Sequence, residues 1–326
     1  MKKSTHSAPF LLLLVLTACS GAPGPTTPAR PGGVPQPGAS APAEARFQRA
    51  LDAALARGSW EDLRLDAECQ NENRRFRSTQ LFGTGVGIWN HERQLTVPRE
   101  RLRGLLEAVR RSGFAAMPES FGEDEEGDWR LEMICRVRAA LDGVDKQTFQ
   151  LSEGSQSREL KQLAEEILAV GAELGPSGVG AASLEDGLAK MARGELAPEA
   201  LTLQLLRQAE DPKSLEGGWI LRIENGLAQV SLPAPETGWT VARQVRLSRQ
   251  DATDLARRLA QTHPEDLPVN LYATWYEDLE IQVLNQKKSL QARRFANLTP
   301  ETHGEKQERF DQLVAALEEL KRTLTP

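Results

Sequence analysis

The chain has 326 residues, 40 % hydrophobic and 26 % charged, which is enough material for two ordinary cores. Its formal charge is -6, and loss of Lys2 and Lys3 with an N-terminal leader would leave about -8, so a phosphate backbone is repelled on average and nucleic acid is not expected as a partner. Arginine pairs such as Arg74-Arg75 and Arg257-Arg258 stand among carboxylates and read as solvated surface.

The first element is a basic start, Lys2 and Lys3, followed by a short apolar run from Phe10 to Leu16, the pattern of an export signal. A bilayer span needs about 20 apolar residues; this run has under half of that, so a transmembrane helix is not expected. Leu16-Thr17-Ala18-Cys19 resembles the lipobox of bacterial lipoproteins, in which small residues before the cysteine admit the signal peptidase and the thiol carries the lipid. The resemblance covers about the first 20 residues. It implies a leader over 1–18, cleavage before Cys19, a thioether diacylglycerol on Cys19 and usually a third, amide-linked chain. Each buried methylene contributes roughly 0.8 kcal/mol, so one chain holds marginally and three hold firmly. Ser20 after the cysteine, where Asp would retain the protein, is similar to lipoproteins forwarded to the outer membrane in cells with two membranes. The resemblance therefore implies a lipid-anchored protein of the cell envelope, with the bilayer as a partner through acylated Cys19.

Residues 19–43 come next. Ser20 to Ala43 holds seven prolines and five glycines, no aromatic residue and one charge, Arg30, and cannot bury enough apolar surface to fold. A flexible coil of this length reaches about 30 Å and a polyproline rod about 75 Å, so the segment is expected to be a disordered tether with a reach between the two.

From Glu44 onward the chain repeats itself at an offset of 150, which carries Met117-Pro118 onto Leu267-Pro268. The same offset pairs Leu51 and Leu55 with Leu201 and Leu205, Leu105 and Val109 with Leu255 and Leu259, Leu131 and Met133 with Ile281 and Val283, and Leu163 and Ile167 with Leu313 and Leu317. Two tandem α+β repeats are expected, 44–174 and 183–326, joined by a Gly-rich hinge over 175–182. Within the first, Leu63, Leu65, Ala67 and Cys69 alternate with polar residues as a one-faced strand, and Leu131, Met133, Cys135 and Val137 do the same. Pro98 to Ser112 has helical spacing, and Ser248 with Asp251 opens its counterpart as a capping box. Asp142-Gly143 is a hairpin signal, and final helices are expected over about Arg158 to Val170 and Glu305 to Leu320. Each repeat then reads as an antiparallel sheet with helices on one face. Ser183 to Arg193 is expected as a helix that the first repeat lacks.

The chemistry-bearing residues are few. Cys69 and Cys135 fall on the inward faces of predicted strands, either as a disulfide, which an oxidising envelope permits, or as two buried thiols; neither is in a Cys-x-x-Cys pair. At the offset of 150, Cys135 matches Asn285. Gly83-Thr84-Gly85-Val86-Gly87 lacks the Lys and helix start of a phosphate loop and reads as a glycine-rich strand or bulge. His91-Glu92-Arg93-Gln94-Leu95 has Leu where a zinc protease needs its second ligand. His263 and His303 stand on polar stretches and read as surface. Glu123, Asp124, Glu125, Glu126 and Asp128 crowd one loop without the spacing of a calcium site. Its counterpart carries Trp275 and Tyr276, a candidate contact surface if they point outward and core residues otherwise.

No catalytic, metal or cofactor motif is found. The expected function is a non-enzymatic, membrane-anchored binding or scaffold module for a protein or envelope polymer. The alternatives are an inhibitor of an envelope enzyme, or a hydrolase of unrecognised type using carboxylates of the 123–128 loop.

Overall fold

The computed structural model describes residues 43–70, 76–121, 134–151, 157–208, 217–234, 238–293 and 299–324. Cys19 with the leader and tether, Arg74-Arg75, Leu131, Met133 and the acidic cluster Glu123 to Asp128 lie outside the described residues.

The first half runs α1 (Ala43–Arg57), β1 (Arg64–Gln70), β2 (Phe76–Phe82), β3 (Val86–Trp89), β4 (Arg93–Thr96), α2 (Arg99–Arg111), β5 (Ser120–Phe121), β6 (Cys135–Leu141), β7 (Val144–Gln150) and α3 (Arg158–Leu174). A two-residue strand, β8 (Val179–Gly180), follows. The second half runs α4 (Leu184–Ala192), β9 (Leu201–Gln208), β10 (Trp219–Glu224), β11 (Leu227–Ala234), β12 (Gly238–Arg246), α5 (Arg249–Gln261), β13 (Asn270–Leu271), β14 (Tyr276–Val283), β15 (Gln286–Ala292) and α6 (Glu305–Leu324). The protein is α+β.

Strand order repeats as well. The first sheet is β5-β7-β6-β1-β2-β3-β4-β8 and the second is β13-β15-β14-β9-β10-β11-β12, so apart from β8 the two are the same sheet built twice. Both are mixed rather than wholly antiparallel: β5 pairs parallel with β7, and β13 parallel with β15. Period-two alternation turns one face of each sheet apolar. Leu65, Ala67, Leu81, Val137 and Ala139 meet Leu102, Leu105, Leu106 and Val109 of α2 and Leu160, Leu163 and Ile167 of α3 in one core. Leu203, Leu205, Leu221, Ile223 and Ile281 meet Leu255, Leu259, Phe310, Leu313 and Leu317 in the other. Asp142-Gly143 makes the β6–β7 turn with φ of 49° and 73°, and Asn225-Gly226 makes β10–β11 with 55° and 74°, the doubly left-handed geometry that matches strand twist. The Ser248–Asp251 capping box opens α5.

The single offset of 150 holds only in part. It relates α2 to α5, β5 to β13, and the buried Leu160, Leu163 and Ile167 to Phe310, Leu313 and Leu317. Elsewhere the hairpins fix a different register. Leu141 pairs Val144 across one turn as Val283 pairs Gln286 across the other, an offset of 142. Leu201 and Leu205 lie on β9 whereas Leu51 and Leu55 lie on α1, so those pairs are not counterparts; Leu201 and Leu205 correspond to Leu63 and Ala67 at an offset of 138, the value that the pairings of β1 with β6 and of β9 with β14 require. The helix starting at Ser183 is therefore no addition. Leu184, Leu188 and Met191 of α4 stand where Phe47, Leu51 and Ala54 of α1 do.

Residues 41–326 form one compact unit. The expected hinge is structured: Gly175–Ser177 is a 3-10 turn, and Val179–Gly180 pairs with β4. The outer face of the first sheet meets the second half directly, because Phe82 and Ile88 are buried in the second core. Gln94 Oε1 accepts from the Ala197 amide at 2.6 Å, and Thr84 Oγ1 donates to buried Glu199 at 2.9 Å. Among the described residues no helix is long and apolar enough to cross a membrane.

Candidate functional site

The second sheet breaks its own alternation at one place. On the inward face of β9, Leu201, Leu203 and Leu205 are followed by Arg207, and on β14 the series Val283, Ile281 and Leu279 ends at Glu277. Arg207 and Glu277 are direct cross-strand partners, so two opposite charges share the edge of an apolar core. Arg207 Nε lies 3.4 Å from Glu277 Oε1, and the guanidinium also pairs with Glu318 of α6. Glu277 is 4 % exposed. Burial pushes its carboxyl up to about 7, Arg207 pulling it down and Asp311 adding to the rise.

These groups line a pocket of about 290 Å³ together with Tyr272, Trp275, Gln307 and Asp311. The loop between β13 and β14 forms its lip. Gln307 of α6 holds that loop by accepting from the Tyr272 amide at 3.1 Å and donating to the Tyr272 carbonyl at 2.8 Å, and it also donates to Asp311 at 2.9 Å. The Trp275 ring stands 5.4 Å from the Arg207 guanidinium carbon, a cation–π contact. Gly217, at φ 71°, leaves room for that ring: a Cβ there would come to 3.1 Å of it.

The first half fills the same position differently. Cys69 and Cys135 are direct partners on β1 and β6 and are disulfide-bonded. At the local offsets they correspond to Arg207 and Glu277, so Cys135 matches Glu277 and not Asn285. Glu318 replaces Leu168, which is buried in the first core, and Asp311 replaces Lys161. One copy of the fold closes this place covalently; the other opens it into a charged, aromatic-lipped pocket.

No model of a known protein family matches the chain. A search of curated proteins also finds no match.

Trp275 and Tyr276, singled out together in the sequence, are half-buried and serve different faces. Trp275 lines the pocket, whereas Tyr276 alternates with Glu277 onto the outer face of β14, where burial and then Asp278 raise its hydroxyl above the usual range. Gly83 to Gly87 forms a hairpin turn and the start of β3. Gly83 packs so closely on the Trp60 carbonyl that no Cβ fits. His91 lies in the β3–β4 turn at φ 58°. His303 caps a 3-10 turn before α6, and His263 pairs with Glu185. Arg207, Glu277, Gln307, Asp311 and Glu318 escaped the sequence reading. For Arg207 and Glu277 the signal was present all the same: a charge at an inward position of two strands, Leu-x-Leu-x-Leu-x-Arg and Glu-x-Leu-x-Ile-x-Val.

Proposed function

We propose that the protein is a lipid-anchored lipoprotein of the cell envelope whose body binds a protein or envelope polymer, with the pocket of the second repeat as the seat. The anchor rests on the Leu16-Thr17-Ala18-Cys19 sequence and the proline-glycine segment behind it. The seat rests on one observation: the site that the first repeat closes with Cys69–Cys135 is, in the second, a pocket lined by Arg207, Glu277, Asp311 and Glu318 with Trp275 at its mouth. A concave site with a few convergent polar groups and an aromatic lip is the usual form of a binding site. The Asp311 and Glu318 carboxylates, with the Glu277 carboxyl raised to about 7, against one guanidinium favour a ligand rich in hydrogen-bond donors.

Two measurements test it. Mass spectrometry of the native protein should find an N-terminus at acylated Cys19; an unmodified or different N-terminus defeats the anchor. Cross-linking of the full chain in its own envelope extract should yield a specific partner that is lost with Trp275→Ala and Glu318→Gln. Adducts that are the same in both variants, or none at all, defeat the seat. A second possibility, a hydrolase, has one observation in its favour, a buried glutamate at about 7 beside Asp311, since a general acid works best near the ambient pH. Turnover of envelope polymers that disappears in Glu277→Gln would favour it over binding alone.

A further inference from the structure

The duplication supplies an internal control, and it isolates a second cluster at the start of α4. The turn that follows α2 and the turn that follows α5 are the same structure. In the first, Gly113 at φ 66° precedes the 3-10 turn Phe114–Ala116; in the second, His263 at φ 45° precedes the 3-10 turn Pro264–Asp266. A left-handed residue is required at that point in both copies, and glycine meets the requirement without cost. The second copy puts a histidine there instead. The turn does not need it, since the first copy folds the same turn from Gly113, Phe114, Ala115 and Ala116.

The placement of His263 has a geometric result. A 3-10 turn repeats every three residues, so positions three apart project from one side, and the Asp266 amide donates to the His263 carbonyl at 3.1 Å to close that turn. His263 precedes that turn in the left-handed region, and with Pro264 fixing the backbone between them its ring and the Asp266 carboxylate come within 4.8 Å of each other. Glu185, in the first turn of α4, comes in from the neighbouring helix, its Oε1 3.0 Å from His263 Nδ1. One donor atom from each of the three lies within 4.8 Å of the other two, the group among the described residues that meets this condition. All three positions differ in the first repeat, where Gln48, Gly113 and Ala116 occupy them.

We propose that Glu185, His263 and Asp266 form a three-point site for a divalent transition-metal ion of the zinc class. Zinc takes imidazole nitrogen at about 2.0–2.1 Å and carboxylate oxygen at about 2.0–2.2 Å, which sets tetrahedral ligands about 3.4 Å apart. The His263–Glu185 separation is already close to that. Asp266 is exposed and free to turn inward. A nitrogen donor excludes calcium and magnesium as the preferred ion. The N-terminus of α4 opposes a cation here, and two carboxylates supply the compensating charge, while Asp186, tied to Lys190 at 2.7 Å, is not available. The remaining coordination position opens to solvent, for water or for a donor from another molecule. A bound ion would clip α4 to the turn after α5.

The test is a zinc titration of the full chain in detergent by calorimetry, paired with the visible absorption of bound Co²⁺. Wild type should take up one equivalent and give the strong spectrum of a tetrahedral site. His263→Gly is the informative variant: the first repeat folds this turn with glycine, so the variant should keep the wild-type melting temperature without metal and lose both signals. Glu185→Gln and Asp266→Ala should each weaken zinc binding by at least about tenfold. The proposal is overturned if wild type shows no saturable zinc binding, or if the folded His263→Gly chain binds as wild type does.

Discussion

Cys69–Cys135 and Arg207–Glu277 are two solutions to one cross-strand position, and they make the two halves of the protein sensitive to different conditions. The disulfide spans 66 residues of sequence, and closing a loop of that size in the unfolded chain stabilises the fold by about 4 kcal/mol on the chain-entropy estimate. Replacing Cys69 and Cys135 together by alanine should lower the free energy of urea unfolding by about 2–4 kcal/mol, and reductant should then have no further effect. Glu277 acts through protons. Its carboxyl sits at about 7 in the folded protein against 4.5 in the free side chain. Between those values the folded state holds a proton that the unfolded chain has released, so stability is full below about 4.5, falls as the pH rises, and stays reduced above about 7. The whole fall is about 3 kcal/mol. The difference between unfolding free energies at pH 5 and pH 8 should exceed that of Glu277→Gln, which carries no charge at either pH, by most of that fall, more than about 2 kcal/mol. Equal slopes in the two proteins would refute the assignment.

At the scale of elements, α3 lies against the first sheet at unusually short range, and small residues permit it. A Cβ on Gly171 would collide with the side chains of Thr79 and Trp89, and one on Gly175 would enter the Trp89 ring. Gly171→Ala should cost about 1–3 kcal/mol in thermal or urea unfolding despite its better helix propensity, because the helix or the indole must move. Gly104, on the exposed side of α2 with nothing near its Cβ position, is the matched control, and alanine there should stabilise by up to about 1 kcal/mol. These elements also show what the sequence discloses. Helix α2, β1, the Asp142-Gly143 turn and the Ser248 cap were legible, since each is set by local periodicity or by one turn residue. The duplication was legible too, but its register was not. From β3/β11 to β4/β12 the offset rises from 141 to 150, as Val86–Thr96 and Leu227–Arg246 show. It drops to 142 at β6/β14 and returns to 150 at α3/α6. Later insertions in opposite repeats cancel, so an offset of 150 fits α2, β5 and α3 but misaligns α1, β1 and β6 with their counterparts. The equivalence of the pocket with the disulfide was hidden for the same reason, since it requires knowing that Glu277 stands where Cys135 does.

On the scale of the whole molecule, the two repeats are not beads on a string. Phe82 is 3 % exposed and Ile88 6 %, and both are buried in the core of the other repeat, with Arg246 of β12 reaching Asp62 at 3.2 Å. Phe82→Ala should therefore cost about 3–5 kcal/mol. It should also split a single calorimetric transition into two, because the residue removed is one that couples the halves. A single unchanged transition would show that the coupling runs elsewhere. This shared core sets an order of events when the chain is made. A ribosome delivers the N-terminal repeat first, and until the other half has followed and docked, a nearly finished sheet presents a phenylalanine and an isoleucine to water. For that interval the nascent protein is a natural client for holding chaperones, and any stall in synthesis between the repeats leaves it at its most prone to aggregate.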